Sequence, residues 1–161
     1  MPSSPPLPAA ARAISAATTD AVAAAGATEV AAFDEAVNRL AAAEPEQVRV
    51  VLGVVVRALL EDLHPDGVSG DDLLELIKSC ARTAYGWYPR VELDVLVVVL
   101  TGALGVHEPE LEPRKFSPLD VARHAPLFIT ELLTAGSTRP LSAHFRDAYR
   151  GIAQAELNEM P

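Results

Sequence analysis

Residues 45–63 read PEQVRVVLGVVVRALLEDL, and this stretch decides the fold class of the chain. Its apolar side chains recur at spacings of three and four residues, as on one face of an α-helix and unlike the alternation of a strand. The residues opposite them fall every four positions and define a narrow solvent stripe: Arg49, Gly53, Arg57 and Glu61. Pro45 suits a first helical position, where no backbone N–H is needed. The stretch therefore predicts a buried amphipathic helix despite its many valines.

Helix signals continue on both sides of this segment. Upstream, Ala9 to Ala25 is rich in alanine, and Thr28 is expected to cap a second helix. Downstream, the turn at residues 64–67 (HPDG) breaks the helix, and Ser69 with Asp72 then resembles a capping box that has Asp in place of the usual Glu. The inward face expected of this fourth helix comprises Leu73, Ile77, Cys80 or Ala81, and Ala84.

The fifth predicted helix, Val91 to Gly105, is apolar almost all round. A helix of that kind belongs in the middle of a bundle, so we expect it to be central if it is a helix at all. Ser117 with Asp120 repeats the cap signature before a sixth helix, which Pro126 should bend or split. A last helix should follow Pro140, and its expected inward residues are Phe145, Tyr149, Ile152 and Ala153.

These segments predict an all-α fold, a compact bundle of about six to seven helices. Residues 1–8, with four prolines, should form a flexible Pro/Ser-rich N-terminus, and residues 9–161 a single all-helical domain. Val51 to Pro65 also aligns with Val95 to Pro109 at an offset of 44 residues, with six identities. That period indicates two similar helix–turn–helix units, a weak HEAT-like pseudo-repeat. Two valine-rich core helices can also resemble each other through composition alone.

The chain is acidic, with a formal net charge of −9, and it has no cluster of basic residues. Nucleic acids and anionic membranes both require such a cluster, so neither partner is expected. The one cysteine, Cys80, excludes an intramolecular disulfide and fits a reducing compartment. The longest nearly apolar stretch, Val95 to Val106, is too short to span a bilayer. Residues 1–8 are unlike a secretory signal, and we therefore expect a cytoplasmic protein.

An acidic turn joins the third and fourth helices. Six carboxylates and no Lys or Arg lie between positions 61 and 75, namely Glu61, Asp62, Asp66, Asp71, Asp72 and Glu75. The second turn adds Glu108, Glu110 and Glu112, and side-by-side repeats would place both turns on one edge. Such an edge can dock a basic partner, although acids near helix N-termini also simply oppose the helix dipole. Asp62 to Leu73 resembles a calcium-binding EF-hand loop only weakly, because histidine stands at its third position and leucine at its twelfth.

Histidines and carboxylates on the last two predicted helices suggest a different functional hypothesis. Asp120 and His124 are four residues apart, and His144 and Asp147 are three apart, so each pair shares a helix face. Two such faces that meet inside a bundle could form a divalent-metal or acid–base site. Against this, Asp120 has a capping role, and His144 with Asp147 is expected on the wet side of the last helix.

The only concentration of aromatic residues lies between the two helical units and comprises Tyr85, Trp87 and Tyr88, followed by Arg90. These residue types anchor protein interfaces, but they also wedge neighbouring hairpins together. Nucleophilic catalysis is not expected. Cys80 should be buried and inert, and the chain has neither a phosphate-binding loop nor a nucleophile elbow.

We therefore expect a non-enzymatic protein-interaction module of the adaptor, regulator or neutralising-partner type, without a cofactor. It would bind another macromolecule through the acidic edge, the aromatic linker or a groove between hairpins, and a homo-oligomer is compatible with it. The alternative from another class is a small helical enzyme or divalent-metal-binding protein that uses Asp120, His124, His144 and Asp147.

Overall fold

The structure, a computed structural model, describes residues 8–105 and 117–159, and these residues form seven α-helices. The helices are α1 (Ala9–Gly26), α2 (Val30–Ala41), α3 (Pro45–Leu63), α4 (Gly70–Tyr85), α5 (Leu93–Ala103), α6 (Pro118–Gly136) and α7 (Leu141–Glu159). The all-α helical bundle predicted from the periodicity is confirmed. Within the described ranges, no helix is both long enough and apolar enough to cross a lipid bilayer.

α3 buries the stripe that its periodicity predicts, and Pro45 occupies its first helical position. The buried residues of this helix are Val48, Val51, Leu52, Val55, Val56, Leu59 and Leu60. Each such side chain contributes on the order of 1.5–3 kcal/mol when it is withdrawn from water. They belong to one hydrophobic core cluster that takes residues from all seven helices.

The central helix of the bundle is α6, which packs against α1, α2, α3, α4 and α5. Its buried side chains include Phe128 and Ile129. α6 continues through Pro126 as one helix, so the alternative that this proline splits it is wrong. Proline has no N–H to donate, so the helix lacks the backbone hydrogen bond to the carbonyl of Ala122 at this point. One turn further on, the Thr130 hydroxyl donates to the Pro126 carbonyl at 2.8 Å.

α5 lies at the edge of the bundle against α3, α4 and α6. Its helical structure is as predicted, but the central position expected for it is wrong. Only Val95, Leu96 and Leu100 are buried within its 11 residues. One buried stripe is enough to hold so short a helix, and its other apolar side chains remain partly in contact with solvent.

Both predicted capping boxes are present. The Asp72 N–H donates to Ser69 Oγ at 3.1 Å, and the Ser69 N–H donates to Asp72 Oδ2 at 2.9 Å. Ser117 and Asp120 make the same reciprocal pair at the start of α6. Thr28 does not cap α2, because its φ is +55° and Glu29 takes the cap position.

Two helices present a face slightly different from the one expected. α4 buries Leu76, whereas Leu73 and Ile77 are only half-buried. α7 buries His144 together with Phe145, so the expectation that His144 lies on the wet side is wrong. Ala153, expected inside, is exposed. Consecutive helical residues are about 100° apart, so the packing neighbours decide which flank of an apolar stripe is covered.

The pseudo-repeat is not confirmed and stays a prediction. α3 has 19 residues and α5 has 11, and the two helices occupy different places in the bundle. The second turn, with Pro109, lies outside the described residues. The expectation that both acidic turns share one edge therefore stays a prediction.

Candidate functional site

An apolar groove of about 150 Å³ lies between α3, α5 and α6. We call it the α3/α5 groove and define it by Gly53, Val56, Val98, Val99, Gly102 and Ala103. Val121 and Ala125 of α6 also line it. Among the described residues that line this groove, the only charged side chain is that of Arg49. The groove therefore offers shape and apolar surface, without converging polar groups.

Small residues set the depth of the groove. A Cβ atom placed on Gly53 would lie 3.6 Å from the Cα of Ala103, so the backbones of α3 and α5 approach each other closely there. At Gly102 the same added atom would meet nothing within 4 Å among the described residues. Gly102 thus leaves a gap in the wall that a side chain from outside can fill.

α3 and α5 also carry apolar side chains on their outer surfaces. Val54, next to Gly53 on α3, is 37% exposed, and Leu93 at the start of α5 is 47% exposed. Val97 and Val98 on the same helix are half-buried. The two guanidinium groups on this side of α3 are already paired, Arg49 with Glu46 and Arg57 with Glu61.

His124 holds the start of α5 against the central helix. Its Nε2 accepts a hydrogen bond from the backbone N–H of Glu92 at 3.0 Å, and its Nδ1 lies 2.8 Å from the carbonyl oxygen of Asp120. Because a carbonyl only accepts and an N–H only donates, the ring must be neutral with its proton on Nδ1. Burial lowers the pKa of His124 below its ordinary value of 6.5, in keeping with that state.

The four residues of the metal alternative are not brought together. Asp120 caps α6, and both ring nitrogens of His124 have backbone partners. His144 is buried against Asp62, with 4.0 Å between its Nε2 and Asp62 Oδ2, whereas Asp147 pairs with Arg139 at 2.6 Å. Within residues 8–105 and 117–159, no group of three or more His, Cys, Asp or Glu side chains is arranged to hold a metal ion.

The acidic turn is solvated. Asp62, Asp66 and Asp71 are exposed, whereas Asp72 is half-buried. Hydrogen bonds from the Ser69 backbone and side chain lower the pKa of Asp72, so its negative charge serves the start of α4. Glu108 and Glu110, the second half of the proposed acidic edge, lie outside the described residues.

The aromatic linker divides into a packed part and an exposed part. Tyr88 is fully buried, and its ring packs edge-on against Phe33 with 4.8 Å between centroids. Trp87 is half-buried beside both rings. The Tyr88 hydroxyl donates to Asp34 at 2.9 Å, and Arg90 pairs with the same carboxylate at 2.7 Å. The linker thus fastens the α4–α5 connection to α2.

Tyr85 differs from its neighbours in the linker, because it is 58% exposed at the end of α4. Of the four linker residues proposed to bind a partner, Tyr88 is therefore the least available and Tyr85 the most available. Cys80 is buried as expected, and burial raises the pKa of its thiol to about 12, which leaves it unreactive at neutral pH.

The residues of the α3/α5 groove were not singled out by sequence reasoning, which named only a groove between hairpins. A usable signal was present. The fifth predicted helix is apolar almost all round, and Gly53 interrupts the row of valines on α3. Comparisons of this chain with protein-family models, with curated proteins and with solved structures found no match.

Proposed function

We propose that this protein is a non-enzymatic interaction module that binds a helix of a partner protein in the α3/α5 groove. The observation that carries the proposal is the position of α5, an apolar helix placed at the edge of the bundle with its outer valines only half-buried. Partly exposed apolar side chains that line a groove, here Val98 and Val99, are typical of sites where proteins associate.

The size and chemistry of the groove favour a protein partner over a small substrate. Its volume of about 150 Å³ is below the roughly 300–1,000 Å³ of most ligand pockets. Catalysis also needs polar groups aimed at a reacting atom, and the one charged side chain in the described lining, Arg49, is paired with Glu46.

The occupant that fits is the apolar face of an amphipathic helix. Such a helix presents anchors at spacings of three and four residues, and these can enter beside Gly102, where the wall is open. The paired charges Arg49–Glu46 and Arg57–Glu61 neutralise each other on α3. They therefore favour neither an acidic nor a basic partner helix, and apolar contacts would decide the affinity.

The proposal is tested with a displayed library of amphipathic helical peptides, selected on the wild-type chain and measured individually by fluorescence anisotropy. The blocking variant is Gly102→Leu, because a leucine there fills the groove from an open position. Replacement of a helical glycine by leucine should also raise helix stability, by roughly 0.5–1 kcal/mol, so lost binding cannot be attributed to unfolding.

Gly151→Leu is the matched control, since Gly151 is an exposed glycine of α7 whose added Cβ would likewise meet nothing within 4 Å. We expect Gly102→Leu to weaken the selected peptides at least tenfold and Gly151→Leu to leave them unchanged. Selected peptides that bind both variants equally would overturn the assignment of the groove. The same holds if no helical peptide is enriched.

Docking of a basic partner on the acidic turn remains a second proposal for how the protein binds. The exposure of Asp62, Asp66 and Asp71 supports it. Since no contact in the described residues favours it over ordinary solvation, the groove is the better-supported site.

A further inference from the structure

The outer surface of α4 carries an unusual stripe of exposed residues. α4 packs mainly against α5 and α6 among the described helices, and its opposite side faces solvent. We call this side the α4 stripe and define it by Asp71, Leu74, Glu75, Lys78, Arg82 and Tyr85, all of which are exposed. At 100° per residue, these six positions fall within about 100° of the helix circumference.

The α4 stripe carries two acidic and two basic side chains. In the described part of the protein, Asp71, Glu75, Lys78 and Arg82 make no ion pair, in contrast with the paired arginines of α3. Like charges also lie four residues apart, Asp71 beside Glu75 and Lys78 beside Arg82. Like-charge pairs at this spacing weaken a helix slightly, although acids first and bases last suit its dipole.

The order of these charges is self-complementary. If a second α4 is laid antiparallel so that position 71 faces position 82, then position 75 faces position 78, since both pairs sum to 153. Asp71 would then meet Arg82 of the second copy, and Glu75 would meet its Lys78. Two-fold symmetry repeats both pairs, so every charge of the stripe faces an opposite charge.

Apolar residues accompany the charges. Leu74 is 50% exposed and Tyr85 is 58% exposed, and both lie on the α4 stripe. In the same register Leu74 comes to the level of Ser79, whose hydroxyl already donates to Glu131, and Tyr85 extends past the start of the second α4 towards Val68. Charged contacts fix register and orientation more than they supply affinity, and Tyr85 beside Val68 would supply the apolar contact.

From this geometry we propose that the α4 stripe binds a second copy of this chain, giving an antiparallel, two-fold dimer through α4. The partner is identified by charge order alone. An acidic or basic segment of another protein would place opposite charges against only two of the four charged residues, whereas a second copy does so for all four. None of the residues of the α4 stripe lines the α3/α5 groove, so the dimer does not depend on the proposed helix binding.

The test uses two charge-reversed full-length variants. Lys78→Glu with Arg82→Glu makes the stripe wholly acidic, and Asp71→Lys with Glu75→Lys makes it wholly basic. The capping box of Ser69 and Asp72 is kept in both. Oligomeric state is measured by sedimentation equilibrium over a concentration series, at low and high salt.

We expect the wild type to dimerise more weakly as salt is added, and each variant alone to be monomeric. An equimolar mixture of the two variants should form a heterodimer, because all four contacts then join opposite charges. Arg146→Glu with Arg150→Glu is the matched control for the acidic variant, since it lowers the net charge by the same amount at exposed positions of α7 and should leave dimerisation intact.

A wild type that remains monomeric at every concentration would overturn the proposal. So would a dimer that either reversed variant retains, or a variant mixture that stays monomeric. If a double variant fails to fold by circular dichroism, the single reversals Glu75→Lys and Lys78→Glu replace it, because they face each other in the proposed register. Failure of their mixture to associate contradicts the dimer in the same way.

Discussion

His124 on α6 accepts a hydrogen bond from the backbone N–H of Glu92, the residue directly before α5, at 3.0 Å. α5 has no side-chain cap of its own, so this imidazole from the central helix takes part in fixing where α5 begins. Since α5 forms one wall of the α3/α5 groove, the shape of the groove depends on a neutral histidine that does not line it.

Removal of the imidazole should destabilise the protein strongly. His124→Ala leaves the Glu92 N–H without its partner and opens a cavity beside α6, which together should lower the free energy of unfolding by about 2–4 kcal/mol. Urea denaturation followed by circular dichroism measures this. His64→Ala, at a half-buried position of the acidic turn, should change stability by less than about 1 kcal/mol. Equal effects of the two substitutions would contradict the role of His124.

Acid should destabilise the protein through its two buried histidines. Burial lowers the pKa of both His124 and His144 below 6.5, so the unfolded chain binds more protons than the folded one in this range. This loss of stability is absent above the pKa that the histidines have in the unfolded chain. It appears as the pH falls below 6.5, and it is complete below the pKa that they have in the folded protein. The charged groups that act on the two rings are Glu92, Asp120 and Arg123 for His124, and Asp62, Arg139 and Asp147 for His144.

Urea midpoints measured between about pH 7.5 and about pH 5 should therefore fall steadily, before carboxylates begin to titrate. The urea midpoint of the double variant His124→Gln with His144→Asn should change much less over the same pH interval. A wild-type midpoint that rises towards pH 5 would contradict the sign of this linkage.

Tyr88 should stabilise the protein through its hydroxyl as well as its ring. Tyr88→Phe removes the hydrogen bond to the Asp34 carboxylate and should cost about 1–3 kcal/mol, because the acceptor is charged. Trp87, whose ring centroid is 5.2 Å from that of Tyr88, provides a fluorescence signal for the unfolding transition. Tyr85→Phe, three residues earlier and exposed, should have almost no effect. A comparable loss of stability in both variants would exclude the hydrogen bond to Asp34 as its cause.

Divalent metal ions should leave the melting temperature unchanged. His124 has both ring nitrogens occupied, and Asp120 and Asp147 are engaged with Ser117 and Arg139. Melts with Ca²⁺, Zn²⁺ and Mn²⁺, each compared with a chelated sample, check this. A rise in melting temperature that disappears in His124→Ala would support the metal alternative and contradict the hydrogen bonds described here.

Local features of the fold could be predicted from the sequence because they depend on residues close along the chain. The spacing of valines and leucines placed α3, and the pairs Ser69–Asp72 and Ser117–Asp120 predicted both capping boxes. Cys80 was expected to be buried, and it is. The candidate site was less accessible to prediction, since a groove between hairpins was expected but none of its residues was identified.

The sequence by itself determined that the chain is helical and where most helices begin, because periodicity and capping act within a few residues. Only the tertiary structure decided which helix is central. α5 is the more apolar along its length, yet α6 occupies the middle. The burial of a helix depends on which other helices pack around it, and not on its own apolar content alone. The burial of His144 and the pairing of His124 with Glu92 were decided in the same way, by contacts between residues distant in the chain.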